Sequence, residues 1–332
     1  MSQEQLVKDI LGSKMFSQWH WFSYHFQLLH KGIHSPLSED LLAKLELIEN
    51  KIPGFGRETV DRIAAISGQQ SHIPHYEQLL QLLAEIIIFA KLASQFSASD
   101  FSFEWEPTCG TSRKNPELRI DSPEWSALIE VKCPSLIKHL QNSRAGGIQL
   151  PARISDNPEA LGRFSCTGQI IKPLDNKIKD FMVSAEGKFR TFAANEVQPF
   201  SLLVVAWDRF LFEAVSPLVN GMSGLFTENS FYRDSSDNPI LFPSVSGVLV
   251  TEHLEVALRG TREEALPDGF RSPLDFGDSE YQGTVSPVFL PNPYARNYDV
   301  IAKEAIVKAL NGEGLTEVSD PRVQPLDSVF WF

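Results

Sequence analysis

Two carboxylates and an amine stand out in this chain by their types and spacing. The segment Asn115-Pro116-Glu117-Leu118-Arg119-Ile120-Asp121 alternates with the two-residue period of a half-buried strand, and so does Ala127-Leu128-Ile129-Glu130-Val131-Lys132. Between them, Ser122-Pro123-Glu124-Trp125 suits a four-residue hairpin loop. That loop sets a register: Asp121 opposite Ser126, Arg119 opposite Leu128 and Glu117 opposite Glu130, with Lys132 two positions along. Like charges directly across a strand pair are destabilising, so two facing carboxylates need a reason. A divalent cation held by both is the simplest, because Mg²⁺ takes one or two carboxylates together with water and phosphate oxygens. A lysine beside it would orient or deprotonate an attacking water, or stabilise charge on a phosphate. Asp121 is the alternative first acid, about 13 Å along the strand from Glu117. Glu117 is preferred because it lies opposite Glu130.

Pro116-Glu117 followed by Glu130-x-Lys132 on the next strand resembles the PD-(D/E)xK nuclease superfamily. Glu117 stands where that motif usually has Asp, and its extra methylene moves the ligand by roughly 1–1.5 Å. The resemblance covers about residues 76–251. It implies an α/β fold, with a restriction-endonuclease-like α-β-β-β-α-β core, a mixed central sheet and, in this chain, an added N-terminal helical region. It further implies Mg²⁺- or Mn²⁺-dependent hydrolysis of DNA phosphodiester bonds. Glu117, Glu130, Glu85 and Val131 are the implied metal positions; Lys132 positions or activates water, and Glu85 assists. Folds of this kind serve restriction, repair, recombination and anti-phage defence. The implied role is an endonuclease effector in restriction or anti-phage defence, working with a protein partner subunit or as a homo-oligomer. A non-catalytic scaffold subunit of the same fold is the main alternative, favoured by the Glu-for-Asp departure and the negative net charge; an RNA-directed enzyme is a third reading.

The chain has 332 residues and a formal charge of −12, which taken globally argues against general affinity for nucleic acid. Locally the sign changes. Residues 108–190 carry 13 Lys/Arg against 9 Asp/Glu, and the remainder 17 against 33. The basic surplus coincides with the acids, where a phosphate backbone would lie, and nominates Arg113, Lys114, Lys138, Arg144 and Lys177 as nucleic-acid contacts. Composition is that of an ordinary soluble protein, with 42% hydrophobic and 22% charged residues and no run approaching a membrane span. The N-terminus lacks the pattern of a secretory signal. Cys109, Cys133 and Cys166 have no CxxC spacing, so a reducing cytoplasm is expected and structural zinc is not.

The elements that must position these residues follow from periodicity. Three regions are expected: a helical region 1–72, a nuclease-like domain 73–312 and a tail 313–332. Within the first, Ser38 is the expected cap of a helix through Leu41, Leu42, Leu45 and Ile48, and Pro53, Gly54 and Gly56 mark a turn. Phe16, Trp19, Trp21, Phe22, Tyr24 and Phe26 read as core, and His30/His34 and His72/His75 as ordinary histidines. Residues 76–96 are apolar nearly all round, a buried helix with Glu85 at its centre and Gln78 and Gln81 on the same face. Glu85 is either a site acid or a partly exposed surface residue. A strand at 101–105, a short helix at 135–141 and a long excursion at 142–168 follow, the last either a DNA-gripping arm or a solvated insertion. A helix at 172–190, apolar strands at 199–207 and 247–251, a Pro/Gly/Asp-rich stretch at 266–297 and a helix at 299–310 complete the pattern. The terminal Phe330, Trp331 and Phe332 fold back or dock on a partner.

Overall fold

The computed structural model describes residues 2–17, 20–66, 72–110, 114–135, 137, 148–149, 170–171, 175–192, 198–207, 211–277 and 287–314. The loop at 122–125 closes the hairpin by a hydrogen bond from Ser122 N–H to Trp125 O, 2.8 Å. The expected register holds: Asp121 pairs with Ser126 and Arg119 with Leu128, joining β2 (Leu118–Asp121) to β3 (Ser126–Lys132) antiparallel. On the outer side β2 pairs antiparallel with β1 (Ser102–Trp105). Two residue pairs, β4 (Ile148–Gln149) and β5 (Ile170–Ile171), form a separate ladder. The chain then returns through helix α7 (Asp175–Phe189) to β6 (Phe200–Ala206), which lies parallel to β3.

Beyond β6 the sheet continues with β7 (Gly247–Thr251, parallel), β8 (Val288–Pro291, antiparallel) and the two-residue β9 (Glu313–Gly314). The order β1-β2-β3-β6-β7-β8-β9 makes one mixed, open sheet. It is an α/β structure, and helix, three strands, helix and strand do follow one another from residue 73 to 206, with β4 and β5 between β3 and α7.

Each sheet face has its own helical cover. Helix α6 (Ile73–Gln95) buries Leu79, Leu83, Ile86, Ile87 and Ala90 in a cluster that holds Ala127, Ile129 and Val131 of β3. Helix α7 buries Ile178, Met182, Ala185 and Phe189 against Leu128 of β3 and Leu203 and Val205 of β6 on the other side. The alternation in β3 therefore does not mark a half-buried strand: Ala127 to Val131 are all buried, because α7 covers the face on which Leu128 and Glu130 lie. β6 is buried throughout, as its continuous apolar run requires.

Of the N-terminal helices α1 (Gln3–Gly12), α2 (Lys14–Ser17), α3 (Trp21–His30), α4 (Pro36–Glu49) and α5 (Phe55–Ala65), α4 packs on α6, and the others pack on α4, α5 and one another. Leu6, Phe22, Phe26, Leu41, Leu45 and Ile48 belong to the same buried cluster as α6 and the sheet, while Tyr24 is half exposed. Ser38 is not the cap of α4. Pro36 opens that helix one residue after Ser35, and the buried Ser38 hydroxyl donates to His25 O and Ser35 O instead. The Pro53/Gly54 turn is real: Gly54 has φ +94, and the buried Glu49 accepts from Gly54 N–H (2.9 Å) and Gly56 N–H (2.8 Å) at the start of α5. Such a carboxylate satisfies amides that a helix N-terminus leaves unpaired.

Several elements carry no clear signal in the sequence: α8 (Leu211–Val219), which contains Pro217; α9 (His253–Thr261); β8, inside the Pro/Gly/Asp-rich stretch; and the two-residue strands β4, β5 and β9, the last at the start of the expected tail. The last helix, α10 (Val300–Ala309), starts where expected, with Asp299 accepting from Ala302 N–H. Most of the expected helix at 135–141, most of the excursion and the terminal aromatics lie outside the described residues. Among the described residues no helix is long and apolar enough to cross a membrane.

A shared core makes a thermodynamic prediction. Leu45→Ala in α4 removes a fully buried side chain and should lower stability by about 2–5 kcal/mol. In urea, helix loss and the fluorescence change of the buried Trp125 and Trp207 should coincide in one transition. Separate transitions for the N-terminal helices and the sheet would contradict a common core.

Candidate active site

The site begins where β2 and β3 part. Pairing stops at Leu118 and Ile129, and Glu117 N–H donates to Ile129 O (3.1 Å) instead of pairing with Glu130. Glu117 O accepts from Glu106 N–H on the β1 side. This leaves Val131 N–H without a main-chain partner from β2, and the Glu117 carboxylate supplies one: Oε2 accepts from it at 2.8 Å. The two acids thus meet through side-chain reach, not as direct cross-strand neighbours.

Lys132, the last residue of β3, joins them. Its Nζ lies 3.1 Å from Glu117 Oε1 and 2.6 Å from Glu130 Oε1. Glu130 is fully buried, whereas the Glu117 and Lys132 side chains retain 13% and 20% exposure, so the site is reached from the Glu117–Lys132 side. A second ammonium, unforeseen from the sequence, approaches from α7: Lys188 Nζ is 2.5 Å from the same Glu130 Oε1. Glu130 Oε2, in contrast, is buried without a hydrogen-bond partner among the described residues. A sequence clue did exist. Lys188 lies three residues after Ala185 and beside Phe189, at the border of the buried stripe of α7.

From the opposite sheet face α6 contributes Glu85, and Gln81, one turn earlier, ties it in place. Gln81 Nε2 donates to Glu85 Oε1 (2.8 Å) and to Val131 O (3.0 Å), while its Oε1 accepts from Cys133 N–H (2.8 Å). One amide thereby clamps the helix to the main chain on both sides of Lys132. Glu85 and Gln81 also line a cleft of about 780 Å³, bordered by Arg62, His75, Gln78 and Ser135. Glu85 is therefore not a plain surface residue, and among the described residues it is held by Gln81 and not by an ion pair with Lys132 or Lys188.

Burial and mutual repulsion set the proton affinities. Burial raises Glu117 well above the usual carboxylate range, Glu85 and Glu130 add to that, and Lys132 and Lys188 oppose it. Burial also raises Glu85, against the Gln81 hydrogen bond and the charge of Lys132. Burial alone would lower Lys132, but Glu117 and Glu130 outweigh it and hold the ammonium above its ordinary value. Burial, then Glu85 and Glu117, push the Cys133 thiol up, away from the nucleophilic thiolate.

Of the expected nucleic-acid contacts, Lys114 is exposed, and its Nζ lies 3.6 Å from where Gly187 of α7 would carry a Cβ, beside Lys188. Lys177 is exposed at the far end of α7, about 16 Å along the helix from Lys188. Arg113, Lys138 and Arg144 lie outside the described residues. Asp121 pairs with Arg119 at the hairpin end and does not join the site.

Among the described residues no group of three or more His, Cys, Asp or Glu side chains is placed to hold a metal ion as it stands. Two features fit a divalent cation nonetheless. Glu130 Oε2 is a buried acceptor without a donor, and Glu117 and Glu130 already share one cationic centre, the Lys132 ammonium. Val131 could offer only its carbonyl, which already accepts from Gln81.

The raised acids predict a pH dependence of stability. The native state binds a proton at Glu117 more tightly than the unfolded chain, so stability should fall as pH rises from about 4.5 through the folded value, then level off. Glu85 acts with the same sign. Urea unfolding at pH 5 and pH 8 should show this loss, about 1.4 kcal/mol for each unit of elevation, and Glu117→Gln should reduce it. An undiminished loss in that variant would place the proton elsewhere. Comparison of the chain with protein-family models, characterised proteins and solved structures found no match, so geometry and chemistry alone support a function.

Proposed function

We propose that this protein is a metal-dependent nuclease of the PD-(D/E)xK type, hydrolysing DNA phosphodiester bonds with a restriction-endonuclease-like core formed by α6, β1, β2, β3, α7 and β6. One observation carries the reading: two carboxylates from adjacent strands converge on one lysine at the end of β3, and one of them keeps a buried oxygen without a donor. The run of one helix, three antiparallel strands, a crossover helix and a parallel strand supports it.

Glu130 and Glu117 would hold Mg²⁺ or Mn²⁺, which when bound supplies Lewis-acid polarisation of the phosphate and a more acidic water. Lys132 remains protonated between the acids, so it acts as a donor that orients water or stabilises charge on the phosphate, not as the base. Glu85, with raised proton affinity at the edge of the cleft, is the better acceptor for the proton that water loses. Gln81 holds Glu85 and the Val131 and Cys133 peptides in fixed relation. Lys114 and Lys188, adjacent at the end of α7, offer positive charge to the backbone of DNA. The net charge of −12 on the whole chain suits a companion subunit, or a second copy, that supplies further recognition. A cytoplasmic setting, in restriction or anti-phage defence, accords with the free thiols of Cys109 and Cys133.

A second reading, a non-catalytic scaffold of the same fold, draws on the lysines that already neutralise Glu117 and Glu130. Nicking of supercoiled plasmid with Mg²⁺ separates the two. Lys132→Ala and Glu130→Gln should each lower the rate about 10²–10⁴-fold, with folding checked by circular dichroism. Equal rates in wild type and variants, or no cleavage alone or with a partner, would favour the scaffold; preferential cleavage of competing RNA would change the substrate class.

A further inference from the structure

We infer that Lys188 is a positioning residue that opposes divalent-cation binding at Glu130, so that the site takes up its metal only as this ammonium gives way. The inference rests on the metal-dependent reading above and assigns a role to a residue on α7.

Glu130 is met asymmetrically. Lys132 and Lys188 both donate to Oε1, at 2.6 and 2.5 Å, and Oε2 has no hydrogen-bond partner among the described residues. Lys132 is shared with Glu117, so the two ammoniums already balance the two carboxylates, and a divalent cation would bring positive charge in excess of that balance. The unpartnered oxygen is where a cation finds a foothold, and a cation there would share one carboxylate with two ammoniums, a repulsive arrangement at short range in a buried place.

The two lysines differ in how firmly they are held. Lys132 is bound by both acids, Glu117 and Glu130, whereas Glu130 is the one ion-pair partner of Lys188 among the described residues. Releasing Lys188 breaks one ion pair; releasing Lys132 breaks two. Lys188 also stands in the last turn of α7 with 21% of its side chain exposed, so its flexible stem has solvent to move into. Lys114 lies beside that turn, which makes a phosphate the favourable next partner for both amines. Lys188 thus links uptake of the cation to arrival of the anionic substrate.

The test is metal binding by the full-length protein without nucleic acid, with free Mn²⁺ read by electron paramagnetic resonance. Lys188→Met keeps the stem without the charge, and Lys188→Gln keeps a donor to Glu130. Both should bind Mn²⁺ about tenfold to a hundredfold more tightly than wild type, the loss of one charge-assisted competitor. Lys188→Arg should bind like wild type, and adding Glu130→Gln to Lys188→Met should remove the gain. A purely structural role would instead weaken binding in the uncharged variants. Equal or weaker binding in both, or a gain in Lys188→Arg as large as in Lys188→Met, overturns the role of Lys188 while leaving the metal site standing. No binding in any variant overturns it together with the metal-dependent reading.

Discussion

Glu130 carries a carboxylate with no exposed surface in the middle of a sheet covered on both faces. Taking such a charge out of water costs several kcal/mol unless it is paired and hydrogen-bonded. Here Lys132 and Lys188 offset that cost, and each of them fixes something larger. Lys132 draws Glu117 to the same point, which requires β2 and β3 to separate at Glu117. Lys188 ties the last turn of α7 to β3 and so complements the contact of its apolar stripe with Leu128. Without the two amines, a charged glutamate at position 130 would stand unpaired in a strand buried on both faces.

The charged groups gather at the carboxyl end of β3, which runs parallel to β6 and β7. Open α/β sheets place ligands outside the carboxyl ends of such strands, because helices cover both faces and only the ends remain accessible. α6 and α7 approach that end from opposite faces, each bringing one charged residue, Glu85 and Lys188. Gln81 converts the packing of α6 into a defined position for Glu85, by three hydrogen bonds that tolerate little displacement. Of the N-terminal helices α4 packs on α6, so their contribution to the site is indirect: they hold the helix that holds the acid.

What was legible in the sequence had a short range. A four-residue loop dictated the pairing of Asp121 with Ser126, and alternation correctly set Leu118 and Ile120 inward. The continuous apolar runs at β6 and α6 announced burial on all sides. Long-range facts were illegible. The alternation of β3 resembles a half-exposed strand, and only α7, some fifty residues later, shows that Glu130 is enclosed. Lys188 reads as one of several lysines on a helix until its partner is placed. Ser38 has the chemistry of a helix cap, but Pro36, already compatible with the first turn, starts α4 earlier. Proline, glycine and aspartate around β8 obscured a strand whose pairing is provided by β7.

The break in pairing at Glu117 also changes the meaning of its length. On an unbroken ladder Val131 N–H would find its partner in the main chain of β2, and the length of Glu117 would have no such task. Here the strands have already parted, and the carboxylate has two tasks: one oxygen accepts from Val131 N–H, the other from Lys132. The first substitutes for a lost ladder bond and would otherwise leave a buried amide unsatisfied, at a cost of about 1–3 kcal/mol. A shorter side chain on the same backbone would have to choose between the amide and the amine. The longer acid and the parted strands are thus one adaptation, in which side-chain reach replaces main-chain pairing and places Glu117 beside Lys132 with its remaining exposure toward solvent.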